Sequence, residues 1–347
     1  MTRSETYIIG VDLGATIVRA GAFTESGELL GARQVEIQSR EGVEAGLERI
    51  GGLVAGIIQE FGQEKERSSA PRTLRGIGIG STGPLDVFRG LLVNPETLPG
   101  WVNVPIVSWV EERFGVPCCI ENDAAAAALG EYWMGAGRGV SRLYAVTLGT
   151  GIGAAAVIDG QVYRGLSGFH PEGGHQIIDP SGPPCYCGAK GCWESLASGA
   201  AIARRAQEYA RRMETARTQP RSGQRSFDTH QGVKLMALAD NQVERIDARL
   251  VAEAARRGDP LAVQIIDRAA QHFALGIFNI LMLFFPEVIV LSGGVMKSLA
   301  LFMPAIHQAV KSAQPYLPAD QVRILPAQLG YYAGLYGAAY AILKKYP

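Results

Sequence analysis

Apolar positions recur with two different periods along this chain, and the alternation between them sketches its elements. Tyr7-Ile-Ile-Gly-Val11 is a short β-prone apolar run, which predicts a buried strand. The turn Asp12-Leu13-Gly14-Ala15-Thr16 follows it. Ile17 to Phe23 and, after Ser26-Gly27, Leu29 to Ile37 predict two more strands of a meander. Apolar residues at 43, 47, 50, 53, 54, 57, 58 and 61 keep a helical period. Gln63 to Arg72 is polar and predicts an exposed loop. Leu74 to Ile79 predicts a buried strand ending in Gly80-Ser81-Thr82-Gly83-Pro84. A helix is expected over Val104 to Phe114 and a strand over Pro117 to Ile120. An alanine-rich helix is expected over Asn122 to Met134, with Glu121 or Asn122 at its N-terminal end.

The opening pattern then returns. Leu143 to Gly153 reads as strand and glycine turn, Ala154 to Ile158 as a strand, and Asp159-Gly160 as a hairpin turn. Laying Leu13-Gly14 on Leu148-Gly149 also lays Ala20 on Ala155. The shared order of strand, glycine turn, strand, tight turn and strand predicts two related α/β halves with a cleft between them. Residues 203–258 are polar and Arg-rich, with Arg204, Arg205, Arg211, Arg212, Arg217, Arg221 and Arg225, and read as a solvated helix face plus loop; a nucleic-acid patch is the minor reading. Asp259-Pro260 opens a long helix to Phe285. Val288 to Leu291 predicts a strand ending in Ser292-Gly293-Gly294, and Tyr331 to Lys345 a final helix.

Composition changes this picture in three places. Lys and Arg number 33, as do Asp and Glu, so the chain lacks the basic excess of a nonspecific nucleic-acid binder. The longest apolar stretch, Phe273 to Phe285, is shorter than a bilayer span, Asn279 interrupts it, and Met1 to Gly10 has no secretory pattern, so a cytoplasmic location without membrane partners is expected. Glycine is in surplus, 43 of 347 residues against a usual share of about 7%. The surplus gathers at 10–21, 76–83, 149–153, 165–174, 188–191 and 293–294, and implies many places that need positive φ or a close approach to ligand; with the family resemblance given below, it reads as a set of ligand-facing turns.

Three clusters can do chemistry. Cys185, Cys187 and Cys192 are three of five cysteines, and His175 precedes them. Three thiolates and one imidazole suit a closed, structural zinc site; buried thiols or a redox pair at 185 and 187 are the alternatives. Cys118 and Cys119 have apolar neighbours and read as core residues. Glu121-Asn122-Asp123 lies at a strand-to-helix junction, where α/β sheets place ligand sites, although Asn122 or Asp123 could equally serve as a helix cap. Asp12-x-Gly14-x-Thr16 and Gly149-Thr150-Gly151-Ile152-Gly153 both follow buried strands. Their N–H groups and Thr hydroxyls could cradle phosphate, and Asp12 could hold Mg2+. Gly149-x-Gly151-x-x-Ala154 also fits a dinucleotide fingerprint, but that fingerprint needs a helix where a strand is expected.

Together these motifs resemble the ROK family of sugar kinases and related repressors, within the actin-like ATPase superfamily, over nearly the whole chain. Cys185-x-Cys187-Gly188-x-x-Gly191-Cys192-x-Glu194 matches the family signature, and Glu172-Gly-Gly-His175 matches the segment supplying a sugar-binding Glu and a zinc-binding His. Glu121-Asn122-Asp123 matches the catalytic segment. Asp12 to Thr16 and Gly149 to Gly153 match two phosphate motifs, and Ser292-Gly293-Gly294 the adenosine motif. Leu98-Pro99-Gly100-Trp101 resembles the sugar-site loop.

The resemblance implies an α/β, two-domain actin-like ATPase (ribonuclease H-like) fold with an interdomain cleft. Residues 1–120 with about 330–347 would form a smaller domain, and 121–329 a larger one carrying the zinc loop and an Arg-rich insertion at about 203–258. It implies an ATP-dependent hexose kinase acting on the 6-hydroxyl of a hexose, glucose first. The alternatives are another sugar (N-acetylmannosamine, N-acetylglucosamine, mannose or fructose) or a non-catalytic sugar-binding regulator.

In that scheme Asp123 is the general base, and Asn94, Asn122, Asp123, Glu172, His175 and Glu194 contact the sugar. Asp12, Gly14, Thr16, Gly149, Thr150, Gly151, Gly293 and Gly294 contact ATP, and Asp12 bears on Mg2+. His175, Cys185, Cys187 and Cys192 hold Zn2+, His175 serving the metal through one nitrogen and the sugar through the other. Ala15 and Ala125 depart from the family's usual glycine and asparagine. The family's repressors carry an N-terminal helix-turn-helix module, for which no room is expected before a first strand at about Tyr7. A homodimer or homotetramer is expected, with no nucleic-acid partner.

Overall fold

A computed structural model describes residues 6–62, 72–93, 97–218 and 232–346. The chain forms two compact units, Met1–Ala145 with Ala155–Pro171 and Ala327–Pro347, and Val146–Ala154 with Glu172–Pro326.

The first unit opens with β1 (Thr6–Leu13), β2 (Ile17–Thr24), β3 (Leu29–Glu36) and α1 (Val43–Gly62). It continues through β4 (Thr73–Ser81), β5 (Leu85–Asp86), β6 (Leu91–Val93), β7 (Val102–Val104), α2 (Ile106–Phe114), β8 (Cys118–Asn122) and α3 (Asp123–Met134). Its main sheet has the order β3-β2-β1-β4-β8, with β2 antiparallel and β4 parallel to β1. β5, β6 and β7 make a small separate sheet.

Side chains alternate across β1. Tyr7, Ile9, Val11 and Leu13 join a core with Leu47, Ile50, Val54 and Ile57 of α1. Ile8 joins Phe23, Cys119, Leu335, Ala339 and Ile342 on the opposite face, which the closing helix α10 (Ala333–Lys345) covers. Both faces are thus buried, which is why β1 reads as a continuous apolar run. α10 comes so close to its neighbours that a Cβ on Gly78 would lie 1.8 Å from the Ala338 carbonyl oxygen, and one on Gly337 would lie 1.6 Å from that of Ala126. Glycine here permits backbone-to-backbone packing. The 76–83 part of the glycine surplus, expected to face ligand, is therefore in large part a helix-docking seam.

The second five-stranded sheet has the order β11-β10-β9-β12-β13. Its strands are β9 (Arg142–Leu148), β10 (Ile152–Ile158), β11 (Gln161–Val162), β12 (Val288–Ser292) and β13 (Arg323–Pro326). The second unit adds α4 (Trp193–Ala197), α5 (Gly199–Thr218), α6 (Val233–Leu238), α7 (Ala248–Arg256), α8 (Pro260–Phe284) and α9 (Met303–Ala313). Asp259 caps α8 as a buried carboxylate, accepting from Ala262 N (3.1 Å) and from Gly232, Lys234 and Leu235 N, so it also fastens the start of α6. Trp193 of α4 stacks on Phe273 of α8 at 5.2 Å between ring centroids.

Several expectations shift in position. The helix expected from Val104 begins at Ile106, because Pro105 ends β7 and stands at the helix cap. Within 203–258, α7 buries Val251, Ala252, Ala254 and Ala255, so part of that segment belongs to the core. The polar loop at 63–71 and residues 219–231, with Arg221 and Arg225, lie outside the described residues. Residues 121–145 pack with the first unit, because α3 lies against α10, whereas the sequence boundary was expected at 120/121.

Candidate active site

At the end of β8 the chain turns directly into α3. Asn122 stands at the N-cap, and its side-chain oxygen accepts from Ala124 N (2.9 Å) and Ala125 N (3.4 Å). Capping, one alternative drawn from sequence, is thus realised at Asn122. It leaves Asp123 as the first residue of the helix, exposed, with Oδ1 2.8 Å from the Ala124 N–H. A carboxylate in the first turn is favoured by the helix dipole. Glu121, one residue earlier, is buried (3% exposed); it accepts from Asn122 N at 3.1 Å and pairs with Arg164.

The turn after β1 carries Asp12, Gly14 and Thr16 in the same unit. Gly14 N donates to Ile17 O (3.0 Å), which closes the turn and leaves Ala15 and Thr16 exposed. Asp12 Oδ2 is ion-paired with Arg19 Nη1 at 3.1 Å, and the Arg19 guanidinium sits 4.2 Å from the Tyr331 ring centroid. Burial raises the Asp12 carboxyl above its usual range against the opposing effect of Arg19. Asn94, the expected sugar-loop residue, lies outside the described residues.

In the second unit, Gly149, Thr150 and Gly151 form a turn between β9 and β10. Gly149 N donates to Gly151 O (3.0 Å), and Gly199 N and Ala200 N donate to the carbonyls of Gly149 and Thr150. A strand follows, not a helix, which removes the dinucleotide fingerprint from consideration. Glu194 Oε2 accepts the Ile152 N–H at 2.8 Å and lies where a Cβ on Gly151 would have to go. Glu194 therefore braces the glycine turn with one oxygen. Gly293, at φ 96°, follows β12 against the Leu148 carbonyl, and Gly294 begins the next helical turn. A cavity of about 390 Å3 is lined by Thr150, Gly151, Cys185, Tyr186, Glu194 and Arg204 among others.

The cysteine cluster is assembled as its residue types suggest. One ligand atom from each of His175, Cys185, Cys187 and Cys192 lies within 4.8 Å of the others. Cys187 and Cys192 Sγ are 3.5 Å apart, and His175 Nδ1 is 3.5 Å from Cys185 Sγ. A tetrahedral zinc with Zn–S bonds of about 2.3 Å would place its sulfurs roughly 3.7 Å apart. The donor set and spacing fit zinc. By contrast Cys118 and Cys119 are buried in the first unit, and burial pushes the Cys119 thiol up to about 12.

Glu172 lies on the surface just before this cluster, its carbonyl accepting from His175 N. His175 turns Nδ1 to Cys185, so Nε2 is the nitrogen left to donate, and it meets the Tyr186 hydroxyl at 3.0 Å. Tyr186, 82% exposed and close enough for Glu194 and Glu172 to act on its phenol, was not singled out from sequence. The only signal was its place between Cys185 and Cys187 of the candidate metal cluster.

Comparison with known proteins follows this geometry. A family model described as the ROK family matches residues 8–345. The chain is 33% identical over 339 residues to a glucokinase from Thermotoga maritima, covering 97% of each. A ROK hexokinase from Thermus thermophilus superposes with a TM-score of 0.77 at 30% identity, covering 98% of this chain and 100% of that one. A ROK family glucokinase from Streptomyces griseus in complex with glucose and AMPPNP superposes with a TM-score of 0.70 at 32% identity, covering 96% and 98%. Among the described residues, no helix is long and apolar enough to cross a membrane.

Proposed function

The chain belongs to the ROK family, and from that footing we propose that it is an ATP-dependent hexose kinase transferring the γ-phosphoryl of ATP to the 6-hydroxyl of glucose. The observation that carries this reading is the exposed Asp123 carboxylate at the N-terminus of α3, in a chain matching glucokinases over nearly its full length.

Phosphoryl transfer asks little covalent chemistry of the protein; positioning and charge neutralisation dominate. Asp123 accepts the proton of the attacking hydroxyl. Asn122, Glu172, His175 and Glu194 are assigned to the ring hydroxyls. Asn122 keeps its amide nitrogen for this task while its oxygen caps α3. Glu194 holds the turn through Oε2 and shares its carboxylate with the Tyr186 hydroxyl, so both stand beside the ring in this reading. His175 reaches sugar through Nε2, in concert with Tyr186.

The turns at Asp12–Thr16 and Gly149–Gly151, with Gly293 and Gly294, are assigned to ATP. Magnesium, when bound with ATP, neutralises phosphate charge. Asp12 is the carboxylate available to it, already anchored by Arg19. Zinc, when held by His175, Cys185, Cys187 and Cys192, ties down a loop with little regular structure. Glu172 and Glu194 flank that loop, so its order sets theirs.

The test is direct. ADP release is followed with Mg-ATP and glucose, and in parallel with mannose, fructose, N-acetylglucosamine and N-acetylmannosamine. Glucose is expected to give the highest kcat/KM. No turnover on any of them would overturn the reading.

A further inference from the structure

Glu121 calls for an explanation that the kinase reading does not provide. It is buried at the end of β8, on a strand whose other buried residues are Cys118, Cys119, Ile120 and Asn122. Placing a carboxylate there is unfavourable unless it is paired and hydrogen-bonded. Both conditions hold. Oε1 accepts the backbone N–H of Asn122 at 3.1 Å, and Oε2 pairs with Arg164 Nη2. Arg164 follows β11 in the same unit and also reaches the Val162 carbonyl.

Asn122 is therefore gripped twice. Its backbone N–H is held by Glu121, and its side-chain oxygen is held by the first turn of α3. The next residue is Asp123. Its carboxylate accepts the adjacent Ala124 N–H at 2.8 Å, a contact within the first turn of α3.

We propose that Glu121 and Arg164 are positioning residues for Asp123: the buried carboxylate fixes the Asn122 backbone, and Arg164 fixes the carboxylate. The inference rests on the kinase reading, because only there is Asp123 the proton acceptor. It concerns a pair that touches neither sugar nor ATP in that reading.

The groups facing Glu121 determine the test. Burial raises its carboxyl, while Arg164, the Asn122 N–H and His170 oppose that rise. Cys119 is adjacent and neutral at ordinary pH, its thiol pushed up to about 12. Lys344 and Lys345 line the same cavity of about 230 Å3 as Glu121 and Arg164. Removing Arg164 takes away the guanidinium ion-paired with Glu121 and leaves burial less opposed, so the carboxyl moves further up. Below that raised value Glu121 is neutral and still accepts the Asn122 N–H. Above it, the corner holds a buried charge without its partner.

Arg164→Met, Glu121→Gln and the double variant are compared with the wild-type chain from about pH 6 to about pH 9, a range in which a buried carboxyl lacking a counter-charge titrates. Glucose affinity by calorimetry and the thermal midpoint by circular dichroism accompany kcat. Arg164→Met is expected to lose about ten- to hundredfold in kcat at the upper end, the size of effect that small misplacement of a reacting group produces. The loss relative to wild type should shrink toward low pH and fall on kcat more than on glucose binding. The pH dependence should vanish in the double variant, which has no carboxylate to titrate.

The proposal is overturned if Arg164→Met tracks the wild type across the range, or if the pH-dependent loss persists in the double variant. It is also overturned if only the thermal midpoint moves, since that marks a purely structural pair. Absence of wild-type turnover would instead overturn the kinase reading itself, and this inference with it.

Discussion

The β8–α3 corner and the Cys/His loop both present acidic residues assigned to the same substrate, yet they are held in place by different means. At the corner, main-chain geometry does most of the holding. A strand ends, Asn122 caps a helix, and a buried carboxylate takes the Asn122 N–H. The loop from Glu172 to Cys192 has a short helical turn at Gly173–His175 and two isolated bridges, Ile177 with Cys192 and Pro184 with Lys190, and the four candidate ligand side chains converge within it. Strand and helix geometry thus places Asp123, whereas Glu172 and Glu194 flank the Cys/His cluster that would be closed by a metal. The corner should therefore tolerate loss of metal but not of its charge network, and the loop the reverse.

The largest test of this contrast is Asp123→Ala. General-base removal costs about 10²- to 10⁴-fold in rate, and kcat should fall by that much while glucose still binds and the thermal midpoint holds. A midpoint that collapses would mean the corner depends on Asp123 for structure. Next comes the loop. Removing zinc with a strong chelator, or Cys187→Ala, should lower kcat/KM about ten- to hundredfold, the usual effect of losing support around a metal site. Protease cleavage should then appear within 172–192 while the first unit stays protected, and added zinc should restore the chelated enzyme. Cleavage spreading evenly over the chain would erase the distinction.

A smaller effect is expected from Asn122→Ala. Losing an N-cap costs about 1 kcal/mol, which denaturant titration would read, and glucose KM should rise as the ring contact goes. The smallest is Tyr186→Phe. It removes a hydroxyl 3.0 Å from His175 Nε2 and should raise glucose KM by about threefold to tenfold, in line with one lost hydrogen bond of about 1 kcal/mol. Zinc content, measured by atomic absorption, should stay unchanged, since Tyr186 is not a ligand.

Legibility from sequence divides along the same line. The corner could be read because its determinants are contiguous: an apolar strand, an Asn cap, an alanine-rich helix. The candidate zinc donors could be read because thiols in a cysteine-poor chain are conspicuous at any separation. The glycines were harder. Gly149, Gly151 and Gly293 lie in turns as expected, but Gly78 and Gly337 serve the docking of α10, and an absent side chain looks the same in sequence whether a ligand or a helix fills its place. Neither α9, with Met303, Ile306, Val310 and Ala313 at helical spacing, nor the short β13, with Ile324-Leu325, is among the elements expected from the sequence.

The residue types and their spacing alone determined the strand-turn-strand pattern and the candidate Cys/His donor set, since a strand is read from its neighbours along the chain and a thiol stands out in a cysteine-poor one; the role proposed for Asp123 came from the family resemblance. The tertiary structure alone decided that Arg164 is the partner of Glu121, that Glu194 supports the turn at Gly151, that Tyr186 meets His175, and that α10 packs onto β1 and β4. Each joins segments separated along the chain, and periodicity carries no record of which distant side chain will satisfy a buried charge or fill a gap.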